Sequence, residues 1–318
     1  MPSPPLGRLA LGAAGLGNLY APMSDEQAYA VLEAAWDCGV RYFDTAPHYG
    51  LGLSERRLGV FLASKPRGEY VVSTKVGRLL VPDPGGAGRL DEENAFAVPA
   101  DHRRVWDFSA DGIRRSLEDS LTRLGLDAVD IVYLHDPELY DLEPALAEGV
   151  PAVVALRDEG LVRAVGVGSK CTKALAAAAR TGLLDLVMVA GRFTLLEQPA
   201  LDDVLPECRA HSVGVVAAAV FNSGLLATPS PSAQARYEYE AAPPEVLARA
   251  REIAAVCAEF GVELPTAALQ YPLRDHSVRS VVVGAASPWE VRENSTRLQE
   301  TVPGALWTAL RERGLVRA

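Results

Sequence analysis

The chain has 318 residues, 31 of them basic and 41 acidic, for a formal net charge of −10. Apolar residues make up 49% and charged residues 23%, which excludes a mainly disordered chain. The acidic excess argues against nucleic acid as a partner, because affinity there rests on Lys and Arg neutralising phosphates.

Four dispersed cysteines (Cys38, Cys171, Cys208 and Cys257) include no CxxC pair. They read as small buried side chains in a reducing cytoplasm, with no disulfide framework and no metal site. No apolar run reaches the roughly 18–20 residues of a membrane helix. The Gly- and Ala-rich stretch Leu9–Leu16 has only Arg8 beside it as a cation, so it reads as a strand and turn rather than a signal peptide.

In chain order, Leu9–Leu11 is the first short strand. Ser24-Asp25-Glu26-Gln27 is an N-cap opening, with Ala28, Val31, Leu32 and Ala35 on one helical face. Arg41–Asp44 is the second strand, followed by a helix near 54–63, and Tyr70–Lys75 is the third. Residues 77–108 are rich in Pro and Gly and read as a long loop, either a lid or a disordered insertion. Ser109 opens a helix with Ile113, Leu117, Leu121 and Leu124 on one face. Strands Val129–Leu134, Val162–Val167, Leu184–Val189 and Gly214–Ala218 alternate with helices near 143–158, 172–181 and 199–210. A second loop, 222–243, precedes a helix near 245–260. Strand Ser280–Val283 and helices near 287–299 and Pro303–Gly314 complete the chain.

Eight strands, each followed by a helix, predict an α/β fold of (β/α)8 barrel type forming a single domain over 1–318. Gly12, Gly15 and Gly17 do not have the Gly-x-Gly-x-x-Gly spacing of the common dinucleotide fold. In a barrel, polar residues at the C-terminal ends of strands are candidates for chemistry. Asp44, Lys75 and His135 stand at three adjacent strand ends, and Tyr49 follows Asp44 by five residues. Singly, each has a plain structural reading. Together they argue for an acid–base set.

The run Phe43-Asp44-Thr45-Ala46-Pro47-His48-Tyr49-Gly50, with Ser54-Glu55 and Leu58-Gly59, resembles the signature of the aldo-keto reductases. Ser73-Thr74-Lys75-Val76 and the stretch from Leu117 through Leu134-His135 resemble the same family. The resemblance implies a nicotinamide cofactor and a catalytic tetrad of Asp44, Tyr49, Lys75 and His135. A free phenol has pKa about 10, and a nearby cation is expected to lower it by roughly 1–3 units. Lys75, held by Asp44, would supply that charge to Tyr49, and His135 would orient the substrate oxygen.

The resemblance also implies cofactor contacts, with departures. The family's Ser-Asn pair appears as Gly168-Ser169, and Ala190 stands where a Gln is expected. Backbone groups or Arg192 would replace the lost contacts. Phe193 is a candidate to stack on the nicotinamide, with core packing as its other reading. Phe221-Asn222-Ser223-Gly224-Leu225 resembles the segment around the pyrophosphate, where Gly permits close approach to phosphate oxygens. Gly17 completes that set near the first strand. Gly284 and Glu290 replace the Lys and Arg that hold the 2′-phosphate of NADP, while Glu293-Asn294 matches an adenine-contacting pair. A carboxylate repels a phosphate but accepts from a free ribose hydroxyl, so NAD is expected over NADP. Glu290 as a solvated helix residue, or Arg292 swinging in, is the competing reading.

Several motifs resemble the family's NAD-dependent sugar dehydrogenases: Ile131–Pro137, Val165–Gly168, Gly191–Leu196 and Phe221–Gly224. The expected reaction is oxidation at the anomeric carbon of a cyclic aldose of the L-fucose, D-threo-aldose or L-galactose type, giving a lactone. Alternatives are pyridoxal oxidation to its lactone, a broad NAD(P)H-dependent aldehyde reductase, or a nucleotide-binding sensor. Tyr20, His48, Trp106 and Asp136 are candidates to bind the substrate ring. His48 as a surface ring and Trp106 as a loop anchor are the plainer readings. The partner is thus a small sugar or aldehyde, with neither nucleic acid nor membrane involved, and the protein is a monomer or homodimer.

Overall fold

In the computed structural model, residues 4–86, 88–238 and 240–317 are described. Eight parallel strands close into a barrel: β1 (Leu9–Gly12), β2 (Tyr42–Asp44), β3 (Val71–Val76), β4 (Ile131–His135), β5 (Ala164–Ser169), β6 (Leu186–Ala190), β7 (Gly214–Ala218) and β8 (Val278–Gly284). Each strand pairs with its neighbours in sequence, and β8 returns to β1 with Leu11 opposite Val283. All eight expected strands are present, each within a few residues of its expected limits.

The helices between them cover the outside. They are α1 (Asp25–Asp37), α2 (Leu53–Leu62), α3 (Ala110–Leu124), α4 (Leu142–Asp158), α5 (Thr172–Arg180), α6 (Val204–Ala210), α7 (Pro244–Glu259), α8 (Leu264–Gln270), α9 (Pro288–Arg297) and α10 (Gly304–Glu312). Helix α1 starts as expected: Ser24 Oγ accepts from the Gln27 amide, and the Gln27 side chain accepts from the Ser24 amide. Helix α8 is absent from the sequence reading. It is short, starts beside Pro265, and is buried nearly all round, so it shows no amphipathic stripe. Among the described residues no helix is long and apolar enough to cross a membrane. Cys208 and Cys257 are buried as expected, but Cys38 and Cys171 are only half-buried.

Strand alternation divides the side chains into two cores. Phe43, Val72, Val132 and Leu134 face the helices. Tyr42, Val71, Ile131 and Tyr133 fill the barrel. The same period of two puts Asp44 above Tyr42, Ser73 and Lys75 above Val71, and His135 above Tyr133. All point toward the C-terminal mouth.

Residues 77–108 are not a plain loop. Arg78–Pro82 pairs antiparallel with His102–Trp106, and Leu90–Asp91 pairs with Phe96–Pro99. The central Pro and Gly residues disguise two strand-forming flanks. The ribbon leaves and rejoins the barrel at one point, where the Asp107 amide donates to the Gly77 carbonyl at 3.1 Å. Its tip docks on the segment after β1, with the Tyr20 amide donating to the Ala95 carbonyl at 2.8 Å. The second loop also carries a small hairpin, Arg236–Tyr237 with Glu240–Ala241.

Candidate active site

The four residues expected to act together meet at the mouth of the barrel. Lys75 Nζ lies 2.7 Å from Asp44 Oδ2, 3.0 Å from the Thr45 carbonyl and 3.0 Å from the Tyr49 hydroxyl. Asp44 Oδ1 accepts from Ser73 Oγ at 2.6 Å, and Ser73 contacts the Tyr42 hydroxyl at 3.1 Å, which in turn contacts the Tyr133 hydroxyl at 3.2 Å. A polar chain thus rises from the barrel interior to Tyr49. The His135 ring lies edge-on to the Tyr49 ring, with centroids 6.1 Å apart.

Tyr49 is positioned by the turn after β2. Its amide donates to the Ala46 carbonyl, and its carbonyl accepts from the Ser54 amide. Gly17 presses on this turn. A Cβ there would lie 2.6 Å from the Tyr49 carbonyl carbon. Gly17 therefore has a structural reason to be Gly, in addition to the cofactor contact read from the sequence.

Electrostatics corrects one expectation. Burial pushes the Tyr49 phenol above its ordinary value of 10, and Lys75 only opposes that rise. The expected lowering by Lys75 is outweighed by desolvation. Burial also works against the Lys75 charge, but Asp44 and Tyr49 overcome it and hold the ammonium above its usual range. His135 is held well below the usual imidazole value, first by burial and then by Arg78 and Lys75. His48 is lowered for the same reasons.

The candidate substrate residues are more enclosed than a surface reading suggests. The His48 ring packs between Phe96, Tyr49 and His135. Trp106 stacks on Phe108, with ring centroids 5.9 Å apart. Asp136 pairs with Arg78, and its Oδ2 lies 3.5 Å from His135 Nε2. Tyr20 is 39% exposed; its hydroxyl contacts Ser223, and the Arg236 guanidinium lies 4.7 Å over its ring. The sequence reading missed Arg78, which touches Asp136, His48 and Trp106 together. Its signal was a lone Arg directly after the Lys75 strand.

The cofactor candidates divide. Asn222, Ser223 and Gly224 all have positive φ, so the chain turns tightly beyond β7. Asn222 Oδ1 is buried without a hydrogen-bond partner among the described residues, and so is Glu138 Oε2. Glu138 Oε1 accepts from Ser169 Oγ at 2.5 Å. Orphaned acceptors on the loops after β7 and β4 fit the donor groups of a nicotinamide dinucleotide. Gly284 lies exposed at the end of β8, and Asn294 is on the buried face of α9. Glu293 pairs with Arg297 at 3.3 Å. Glu290 is no plain solvated residue: its Oε2 accepts from the Ala286 amide while its amide donates to Ser287 Oγ, a reciprocal cap on α9.

Two candidates have protein partners of their own. Phe193 is 4% exposed and packs against Tyr271, with ring centroids 5.7 Å apart, so its core-packing reading has a partner in the structure. Arg192 Nη1 is engaged by Glu197 at 3.3 Å and Glu238 at 2.9 Å. Phe221 and Leu225 likewise pack against or within the core, and they shape the turn at Asn222.

Comparison with known proteins agrees with this geometry. Residues 8–311 match the Aldo/keto reductase family. The chain is 54% identical to D-threo-aldose 1-dehydrogenase of a Pseudomonas species, over 97% of this chain and 94% of the relative. It is 37% identical to pyridoxal 4-dehydrogenase of Microbacterium luteolum, over 97% and 94%. It is 31% identical to L-galactose dehydrogenase of Arabidopsis thaliana, over 91% and 83%. Among solved structures, glycerol dehydrogenase from Gluconobacter oxydans superposes with TM-score 0.78 at 24% identity, covering 99% of this chain and 94% of that one, and supports the fold. The chain belongs to the aldo/keto reductase family and is an oxidoreductase of the kind that uses NAD(P)H.

Proposed function

We propose that the protein oxidises the anomeric carbon of a cyclic aldose to a lactone, with NAD as the hydride acceptor. The observation that carries this is the chain Asp44–Lys75–Tyr49 beside His135. The 54% identity to an aldose 1-dehydrogenase narrows the substrate. When bound, the cofactor supplies the two-electron acceptor for the hydride leaving C1. Asn222, Ser223, Gly224, Ser169 and Glu138 would hold it.

The protein's own residues handle the proton. Tyr49, as phenolate, takes the proton from the anomeric hydroxyl, and Lys75 offsets the phenolate charge. Asp44 keeps Lys75 in place. His135, neutral, donates from Nε2 to the same substrate oxygen and fixes its orientation. With its proton taken by Tyr49 and its hydride lost, the anomeric carbon would become the lactone carbonyl.

NAD rather than NADP is the preferred form in this reading. Gly284 offers no cation, and Glu290 would repel a 2′-phosphate. The remaining Glu290 oxygen supports a hydrogen bond from a free ribose hydroxyl. The enzyme would work in the cytoplasm on a free small molecule, as a monomer or homodimer. Pyridoxal, whose hemiacetal offers the same chemistry, is the second reading, motivated by the 37% identical relative.

NAD reduction measured with L-fucose, D-arabinose, L-galactose, D-glucose and pyridoxal tests both readings. Turnover of at least one aldose is expected. Turnover of pyridoxal alone replaces the first reading with the second, and silence with all five rejects both.

A further inference from the structure

Arg78 is a buried cation that the proton chemistry above leaves unused. It follows Gly77, whose φ of +99° turns the chain out of β3, and a Cβ at Gly77 would lie 2.4 Å from the Phe108 ring. Arg78 is only 6% exposed. Its Nη2 donates to Asp136, its Nη1 lies 3.3 Å from His48 Nδ1, and its guanidinium sits 4.4 Å over the Trp106 ring. Its Nε is also buried and has no hydrogen-bond partner among the described residues. A guanidinium carries five donors, and burying it is costly unless charge and donors are both matched. Here one carboxylate matches the charge, and donor capacity is left over.

Asp136 is held just as firmly. It has φ +44°, uncommon outside Gly, and its amide donates to the Gly168 carbonyl at 2.9 Å. Its Oδ2 is the oxygen that meets Arg78, and that same oxygen lies 3.5 Å from His135 Nε2. One carboxylate oxygen therefore stands between the guanidinium and the imidazole that faces Tyr49.

We infer that Arg78 and Asp136 together read the hydroxyl on the carbon next to the reacting one, Asp136 accepting from it and Arg78 donating to it. The pair thereby selects 2-hydroxy aldoses over their deoxy analogues. This rests on the aldose reading above. A hydroxyl offers one donor and two acceptor lone pairs, so a carboxylate and a guanidinium side by side complement it. The two oxygens of a vicinal diol are about one hydrogen-bond length apart. An anomeric oxygen held by Tyr49 and His135 thus brings its neighbour within reach of the pair. A deoxy sugar would leave these desolvated groups unmatched, the situation in which sites reject analogues most strongly. An ion pair that merely anchors the ribbon to β4 would not distinguish the two sugars.

The test compares kcat/KM for D-arabinose and 2-deoxy-D-ribose, which differ at the 2-hydroxyl, in the wild type, Arg78→Lys, Arg78→Met and Asp136→Asn. NADH binding by fluorescence identifies the folded variants, and Arg78→Lys and Asp136→Asn preserve charge or shape. The wild type is expected to prefer D-arabinose by about a hundredfold or more. Asp136→Asn and Arg78→Met should shrink that ratio to below about fivefold, mainly through a higher KM for D-arabinose, and Arg78→Lys should restore part of it. An unchanged ratio in folded variants overturns the inference alone. A wild type that oxidises aldoses without discriminating these two sugars also overturns it. A wild type inactive on every aldose overturns the proposed function, and the inference falls with it.

Discussion

The Lys75 ammonium lies 3.0 Å from the Tyr49 hydroxyl, while the carboxylate of Asp44 holds its other side at 2.7 Å. This places a fixed positive charge where negative charge develops when the phenol gives up its proton. Tyr49→Phe removes the proton-transfer group and leaves the ring packing. Its kcat should fall by about 10²–10⁴-fold, with NADH binding by fluorescence titration within about threefold of wild type. Near-normal turnover would reject Tyr49 as the proton carrier.

The pH dependence of the two reaction directions should be opposite. Tyr49 keeps its proton above the ordinary phenol value because burial outweighs Lys75. Reduction needs the phenol and should hold steady at neutral pH, then decline above about pH 10. Oxidation needs the phenolate and should rise from neutral pH and still be rising at about pH 10. Parallel initial-rate profiles in both directions check this.

His48 and His135 predict acid sensitivity of the fold. Both imidazoles are held well below 6.5, chiefly by burial. Below that value the unfolded chain binds protons that the folded chain refuses, so stability falls as pH falls. The melting temperature should drop from pH 7 to pH 5. His135→Asn should flatten the slope, which thermal scans at several pH values would reveal.

Lys75 and Asp44 are 3% and 2% exposed, so breaking their pair strands a buried charge. Lys75→Met should destabilise the fold by about 3–5 kcal/mol, measurable by urea unfolding. Asp44→Asn combined with Lys75→Met should cost less than the sum of the two single changes. Additive losses would mean that the two groups are not coupled.

Glu290 both caps α9 and stands at the proposed ribose position. Glu290→Gln keeps an acceptor for the Ala286 amide and should narrow the preference for NAD over NADP by about tenfold or more. The capping loss should remain within roughly 0.5–2 kcal/mol. Steady-state kinetics with both cofactors and a thermal melt separate the two effects. A wild-type preference for NADP would reject the cofactor reading.

The barrel was legible because its strands are short apolar runs between helical stretches. The tetrad was legible because Asp44, Lys75 and His135 are polar residues at the ends of such runs. Distances between them, and the balance of burial against charge at Tyr49, depend on side chains contributed by other strands. Tyr42, Ser73 and Tyr133 read as ordinary strand residues until β2, β3 and β4 lie in register and join them into one chain. Arg78 was hidden by its surroundings: Pro82, Pro84, Gly85 and Gly86 gave the whole segment the look of a loop. Phe193 is a different case. Its place beside β6 suggests a ligand contact, while its packing partner Tyr271 lies nearly eighty residues later and shows only in the fold.

The ribbon formed by Arg78–Pro82 and His102–Trp106 departs and returns where Asp107 bonds Gly77. Its base brings Arg78 and Trp106 to the mouth, while its far end touches the segment after β1 and lays Phe96 against His48 and Tyr49. Such an attachment behaves as an exchangeable cassette. Apart from Phe96 and Val98, which are buried on the turn that carries Tyr49, its length and composition can drift without disturbing the register of a single barrel strand. Divergence in substrate choice among relatives with the same Asp44, Tyr49, Lys75 and His135 arrangement should therefore concentrate between residues 77 and 108, and transplanting that segment should carry sugar preference with it.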